Sequence, residues 1–309
     1  MRLNERSILK KIWGLIVNND ITKYVGLLPF LIFVTLFLIL PSANLFLGAF
    51  RDQNQQFTLD NIKVLLNPYI QKSFIISFQV SIITSLVGGV FGFLVAYSIT
   101  LGKAPHWLRR FLTIFSGLAA NFGGVPLAFM YISTLGRTGF VTALLKNICF
   151  GPPEARSCPF DLYENGFNLY SMSGLVLAYT YFLFPMMVLT ITPALEGMKK
   201  EWREAAENLG ANSFQYWTKV GIPVLWPSIL ASMILLFSSS FGAFATAQAL
   251  TGGSIYLVPI VIGQQIRGDV LNNPNEGYAL AFAMVVVMAI AILLYTVLQK
   301  KTVKWTSST

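Results

Sequence analysis

Residues able to act jointly are scarce in this chain, and they gather in one place. Trp202-Arg203-Glu204-Ala205-Ala206-Glu207-Asn208-Leu209-Gly210 is a charged, helix-prone island between two long apolar segments. Trp202, Ala205, Ala206 and Leu209 fall at i, i+3, i+4 and i+7, the spacing of one face of a short helix. Glu196 with Lys200, and Lys200 with Glu204, are spaced for i,i+4 ion pairs of about 0.2–0.5 kcal/mol each. Gly210 stands where a left-handed residue would end that helix. Asn212 with Gln215 marks the start of a second short helix, and Pro223 suits the first turn of the long one that follows. The chemistry open to such a hairpin is recognition: small alanines on an apolar face let another protein's groove close over it.

Bond-making chemistry is not provided for. No Gly-x-x-x-x-Gly-Lys-Ser/Thr phosphate loop occurs, so this chain cannot hold ATP by that means. His106, the only histidine, has no Cys, His or carboxylate near it in sequence, and is read as an interfacial residue rather than a metal ligand or acid–base group. There is no nucleophile–base set and no metal-ligand cluster. The expectation is a chain with no catalytic residue, metal or cofactor of its own.

The island needs its flanks to sit in lipid. Of 309 residues, 55% are hydrophobic and 11% charged, against about a quarter charged in soluble domains. Six segments, near 25–49, 73–99, 110–135, 172–195, 223–247 and 278–298, are long enough to cross a hydrocarbon core, which takes about 20 helical residues. The loops on one side carry Arg2, Arg6, Lys10, Lys11, Lys23, Lys103, Arg109, Arg110, Lys199, Lys200, Arg203, Lys219, Lys300, Lys301 and Lys304; the other side carries seven basic residues from Arg51 to Arg267. The first side is therefore cytoplasmic, with both termini and the island on it. The net charge of +9 is topology, not nucleic-acid affinity. The interiors of the spans hold no Asp, Glu, Lys or Arg, the residues that proton- and voltage-driven machines keep there.

Other stretches carry open alternatives. Residues 1–24 lack a signal-peptide cleavage site and are either an amphipathic helix on the inner membrane surface or a frayed tail. Gly88, Gly89 and Gly92 suit close helix packing. Asn121, Gly123, Gly124 and Pro126 would loosen the third span, as a packing kink or as part of a translocation path. Ser238, Ser239, Ser240 and Phe241 make the fifth span small and slightly polar, its hydroxyls lining a path or bonding back to their own helix. Cys149 and Cys158, in the long outer loop 136–171, face the oxidising side, where a disulfide is compatible with their spacing.

The order Glu204-Ala205-Ala206, three residues, Gly210, nine residues, Val220-Gly221-Ile222-Pro223 resembles the cytoplasmic EAA loop of binding-protein-dependent ABC importer permeases, with Val220 and Ile222 where that pattern prefers Ile and Leu. The run Phe241-Gly242-Ala243-Phe244-Ala245-Thr246 with Gly252-Gly253 is similar to the same region in permeases of the spermidine/putrescine, ferric-iron and aminophosphonate importers. The resemblance covers roughly residues 70 to 295. It implies an all-α, six-helix type I permease fold over 25–299 in the bacterial inner membrane, with a coupling loop at 196–222 and a cytoplasmic tail at 300–309. It also implies a second permease subunit, identical or related, ATPase subunits that use ATP and Mg, and an extracytoplasmic solute-binding protein. Trp202, Glu204, Ala205, Ala206, Leu209, Gly210 and Pro223 would then meet the ATPase, and Asn121, Ser239, Ser240 and Phe241 would line the path of a small polar solute. The alternative is an ATP-independent secondary transporter or channel, which would need a charged or carbonyl-lined ion path. A membrane enzyme would need a polar catalytic cluster, and a scaffold would move no solute.

Overall fold

Backbone N–H and C=O groups in hydrocarbon find no water, so long apolar runs satisfy them internally as helices. The computed structural model describes residues 26–52, 54–102, 104–148, 162–267 and 274–307. Among these the elements are helical, with one isolated bridge between Arg51 and Phe57. The helices are α1 (Leu28–Ala49), α2 (Pro68–Thr100), α3 (His106–Asn121), α4 (Val125–Leu135), α5 (Phe140–Lys146), α6 (Met172–Glu196), α7 (Lys200–Asn208), α8 (Ser213–Phe241), α9 (Ala245–Thr251), α10 (Val258–Arg267) and α11 (Pro274–Ser307). Six stretches are long and apolar enough to cross a membrane: α1, α2, Val125–Lys146, α6, α8 and Pro274–Leu298.

The core is built around α6. Leu175, Ala178, Tyr179, Leu183, Met187, Ile191 and Leu195 are all fully buried, recurring every three or four residues so that one face of the helix is wholly covered. α2 lies against it where glycines permit. A Cβ on Gly88 would stand 2.9 Å from Leu183 Cβ, and one on Gly92 would strike the Phe184 carbonyl and Met187, so the two backbones approach closely. α8 closes the other side of α2 through Phe78, whose ring lies 5.7 Å from Phe237 and 5.2 Å from Phe241. α1 touches α11 at Phe46 and Phe282; Ala49 is its one buried residue, leaving an apolar surface suited to lipid.

Three expectations are corrected in detail. The segment expected to cross at 110–135 is two helices, α3 and α4, parted at Phe122–Gly124, and the stretch long and apolar enough to cross there is Val125–Lys146. α3 begins beside the end of α6, where Arg109 Nη2 donates to Glu196 Oε1 at 2.6 Å, and α4 ends beside the loop before α6, where the Tyr163 O–H donates to the Leu135 carbonyl at 2.9 Å. The fifth span begins ten residues before its expected start at 223 and stops at Phe241. Pro223 lies in the first turn of the α-helical stretch Ile222–Phe241, as expected, but that stretch continues from Ser213 without interruption. A wide π turn at Trp217–Gly221 ends two residues before it, as another at Thr35–Ile39 ends two residues before Pro41. Each widened turn makes room for a ring that would otherwise meet the carbonyl four residues back. The helix α11 also runs on through most of the expected tail, to Ser307. The N-terminal segment 1–24 and the pair Cys149 and Cys158 lie outside the described residues.

Candidate functional site

The hairpin between α6 and α8 is held by backbone bonds more than by packing. α6 ends at Glu196, and Gly197 caps it, so Glu196 and Lys200 do not share a helix; the carboxylate is taken instead by Arg109. In α7, Arg203 Nε donates to Glu207 at 2.9 Å, an exposed pair that contributes about 0.3–0.5 kcal/mol. Gly210 ends the helix at φ 79°. The Ala211 N–H reaches back to the Ala206 carbonyl at 3.0 Å and the Gly210 N–H to Glu207 at 2.9 Å, the paired bonds of a Schellman stop. Asn212 Oδ1 then accepts from the Gln215 N–H at 2.8 Å while Gln215 Oε1 accepts from the Asn212 N–H at 3.0 Å, so the next helix starts at a fixed angle.

This geometry divides the expected apolar face. Trp202 and Ala206 are half-buried against the bundle, whereas Glu204 and Ala205 point outward. Leu209 is 88% exposed and Phe214 76%, two apolar side chains on either side of the Gly210 turn at the tip of the hairpin. Beneath lies a cavity of about 460 Å³ lined by Tyr97, Lys200, Arg203, Glu204 and Trp217, with the Tyr97 and Trp217 rings edge-on at 5.1 Å.

A second feature lies deep in the bundle. α3 stops at Asn121 and α4 restarts at Val125-Pro126, with Gly124 at φ 76° between them. α8 stops at Phe241 and α9 restarts at Ala245. The two interruptions meet. The Gly124 N–H donates to Thr246 Oγ1 at 2.8 Å, and the same hydroxyl lies 3.2 Å from the Gly124 carbonyl as its donor. Tyr179 of α6 donates its O–H to the Ala243 carbonyl at 2.6 Å. Backbone groups freed by a break in hydrocarbon need protein or a watered cavity as partner, and here side chains from neighbouring elements supply part of that need. The site offers hydrogen bonds and no ionised group; among the described residues no cluster of His, Cys, Asp or Glu fits a metal.

Of the four residues expected to line a path, Asn121 is exposed beside the first break, with its amide bonded to the Gly117 carbonyl at 2.9 Å. Ser239 is half-buried. Ser240 and Phe241 are interior: Ser240 shares a 2.9 Å hydrogen bond with Thr84 of α2, and Phe241 is 1% exposed and stacked on Phe237. They hold α8 to α2. Sequence reasoning missed Thr246 and Tyr179. Neither carries a local signal, because a helical threonine ordinarily bonds back to its own helix, as Thr180 does to Val176.

The family described as "Binding-protein-dependent transport system inner membrane component" matches residues 88–306. The chain is similar to the sulfate transport system permease protein CysT of Escherichia coli (strain K12), 26% identical over 270 residues, covering 86% of this chain and 88% of that one. It is also similar to the spermidine/putrescine transport system permease protein PotB of the same organism, 26% identical over 243 residues, 77% of this chain and 82% of that one. Among solved structures, a chain from a bacterial ABC transporter involved in the import of the acidic polysaccharide alginate has the same fold, with a TM-score of 0.63 over 95% of this chain and 99% of that one at 16% identity.

Proposed function

The chain belongs to the family of binding-protein-dependent transport system inner membrane components, and from that premise we propose that the hairpin at 196–222 is where a separate ATPase drives it, and that the joined helix breaks border the solute's path. The protein is a multi-pass permease subunit of an ABC importer, and in such systems ATP hydrolysis belongs to partner subunits.

One observation carries the proposal: both legs of the hairpin lead to the breaks. α6 bears Tyr179, bonded to Ala243 at the second break, and ends at Glu196 where the hairpin begins. α8 leaves the hairpin at Ser213 and runs 29 residues to the second break, a rod of about 43 Å at about 1.5 Å per residue. A push on Phe214, which lies within α8, therefore travels along that helix to Phe241, beside Ala243 and Thr246. In this mechanism Leu209 and Phe214 enter the ATPase groove, Ala205 allows close approach, Glu204 rims the contact, and Gly210 sets the angle. Trp202, Ala206 and Pro223 transmit the load inward.

A second permease subunit, identical or related, covers α3 and α4. Trp107, Phe111, Ile114, Leu118, Val125 and Phe129 are exposed there at helical spacing, and the exposed Asn121 amide beside the break at Phe122–Gly124 interrupts the stripe. Lipid cannot satisfy that interruption; another helical subunit, with the solute path between, can. Two ATPases on the cytoplasmic side, which also holds both termini, and a solute-binding protein outside complete the assembly. The solute is small and polar. The relatives named for sulfate and for polyamines take opposite charges, and the joined helix breaks at 122–124 and 242–244 hold no ionised side chain, so selection by charge rests with the binding protein.

The test is site-directed cross-linking in reconstituted vesicles. Leu209→Cys and Phe214→Cys are expected to cross-link to the ATPase, and uptake is expected to need ATP. Uptake without ATP, or cross-links from residue 209 only to extracytoplasmic protein, would overturn the assignment.

A further inference from the structure

We propose that the ion pair between Arg109 and Glu196 is a coupling contact, carrying the hairpin's movement to α3 and so to the first helix break; it rests on the coupling role given above to the hairpin. α8 leaves the hairpin and ends at the second break. α3 ends at the first, and at its other end Arg109 Nη2 meets Glu196 Oε1, at the root of the hairpin, at 2.6 Å. Arg109 and Glu196 are thus positioning residues, in contact with neither solute nor ATP.

Both charges stand at the less favourable end of their own helix. Glu196 is the last residue of α6, where free carbonyls already carry partial negative charge, and Arg109 lies in the first turn of α3, where free N–H groups carry partial positive charge. Neither placement stabilises its own helix. Each charge is offset by the other, so the pair draws the two helix ends together. Nearby in sequence stand Lys103, His106 and Arg110 on the α3 side, and Lys199, Lys200, Glu201 and Glu204 on the hairpin side. The surroundings are mainly basic, and Arg109 is held by the carboxylate that ends α6.

α3 is built to pass a displacement on. Its 16 residues make a rod of about 24 Å. It packs on α6, yet its buried side chains are the small Ser116 and Ala119, which interlock little, so the ion pair sets the register of α3 against the root of the hairpin. At the far end the Asn121 amide bonds back to the Gly117 carbonyl at 2.9 Å, and that side chain makes no bond across the break to α4. The side chains of Arg109 and Glu196 are 41% and 50% exposed, so the pair can be cut without leaving a buried charge.

The test uses the assembled transporter with its binding protein in lipid nanodiscs. The parent protein carries Cys149→Ser and Cys158→Ser and one reporter, Asn121→Cys at the first break or Ala245→Cys at the second, both at exposed positions. Labelling by N-ethylmaleimide is timed with and without a non-hydrolysable ATP analogue. In the parent the analogue should change the rate at both reporters at least threefold. Arg109→Gln and Glu196→Gln should each cut the change at residue 121 by half or more and keep the change at residue 245, because α8 is intact. Arg109→Glu combined with Glu196→Arg should restore residue 121; a thermal melt confirms that each variant is folded. An undiminished change at residue 121 in both glutamine variants, a loss at both reporters alike, or failure of the reversed pair to restore residue 121 overturns the proposal. A parent that responds at residue 245 alone also overturns it while the hairpin's coupling role stands, whereas a parent that responds at neither overturns both.

Discussion

Thr246 holds Gly124 by both of its backbone groups, accepting from the N–H at 2.8 Å and facing the carbonyl at 3.2 Å, across 122 residues of chain. The bond joins the start of α9 to the start of α4, so the segments beyond the two breaks are fastened to each other while each is cut from its own inner helix. Two continuous helices would have no such division. The arrangement gives the bundle a line that divides its outer from its inner part.

Removing that bond is expected to loosen the line without opening a void. Thr246→Val keeps the shape and deletes the hydroxyl, leaving the part-buried Gly124 N–H unpaired at a cost of about 1–3 kcal/mol while the Gly124 carbonyl keeps the Ala128 N–H. A lowered melting temperature and reduced uptake should follow, and Thr246→Ser should restore both. A valine variant that melts and transports like the unmodified protein would show that the breaks are held by other contacts.

At the hairpin, the effect of Gly210 is conformational. Nothing lies within 4 Å of the position a Cβ would take, so Gly210→Ala meets only the cost of a left-handed backbone, about 1–2 kcal/mol, and uptake should fall a few-fold. Gly210→Pro cannot adopt φ 79° and loses the N–H bonded to Glu207; uptake should vanish while membrane insertion is unchanged. Ala205→Trp should do the same by a different route, since Ala205 faces outward and the ring would collide with a partner rather than with this chain. Retained uptake and ATPase docking in both Gly210→Pro and Ala205→Trp would contradict the coupling role.

The hairpin was legible in sequence because its signals are local. Gly210 and the Asn212–Gln215 pair act within a few residues, and each occupies its expected place. The apolar runs were legible for the same reason, since the bilayer imposes length and composition on each span separately. Pro223 lies in the first turn of the α-helical stretch Ile222–Phe241, as expected, but the continuity of that stretch back to Ser213 was not legible, because it depends on whether the turn before the proline widens, which Trp217–Gly221 does. The break at Phe122–Gly124 was visible as Gly and Pro in an apolar run. Its partner was not, because Thr246, Tyr179 and the Ser240–Thr84 bond are choices between local and distant acceptors, and a single sequence holds nothing to decide them.

The close approach of α2 and α6 makes a further prediction. Gly92 has the Phe184 carbonyl and Met187 where a side chain would go, so Gly92→Leu must push two buried helices apart. Overpacking of this kind costs about 1–3 kcal/mol or more. Protein yield and melting temperature should fall together, whereas Gly117→Leu, at a glycine with nothing within 4 Å, should leave both nearly unchanged. Equal tolerance at the two positions would mean that the α2–α6 contact is not a tight one.

The last prediction separates transmission from docking. Tyr179 is fully buried, and its hydroxyl bonds the Ala243 carbonyl at 2.6 Å, linking the α6 leg of the hairpin to the second break. Tyr179→Phe removes one hydrogen bond, about 0.5–1.5 kcal/mol, and leaves Leu209 and Phe214 at the hairpin tip untouched. Leu209→Asp does the reverse, placing a charge on the tip and leaving the break intact. If force passes along α6 and α8, Tyr179→Phe should keep the ATPase bound and hydrolysing while uptake per ATP falls, and Leu209→Asp should lower ATPase association and uptake in parallel. A Tyr179→Phe protein with an unchanged ratio of uptake to hydrolysis would mean that the Tyr179–Ala243 bond stabilises the fold and carries no part of the stroke.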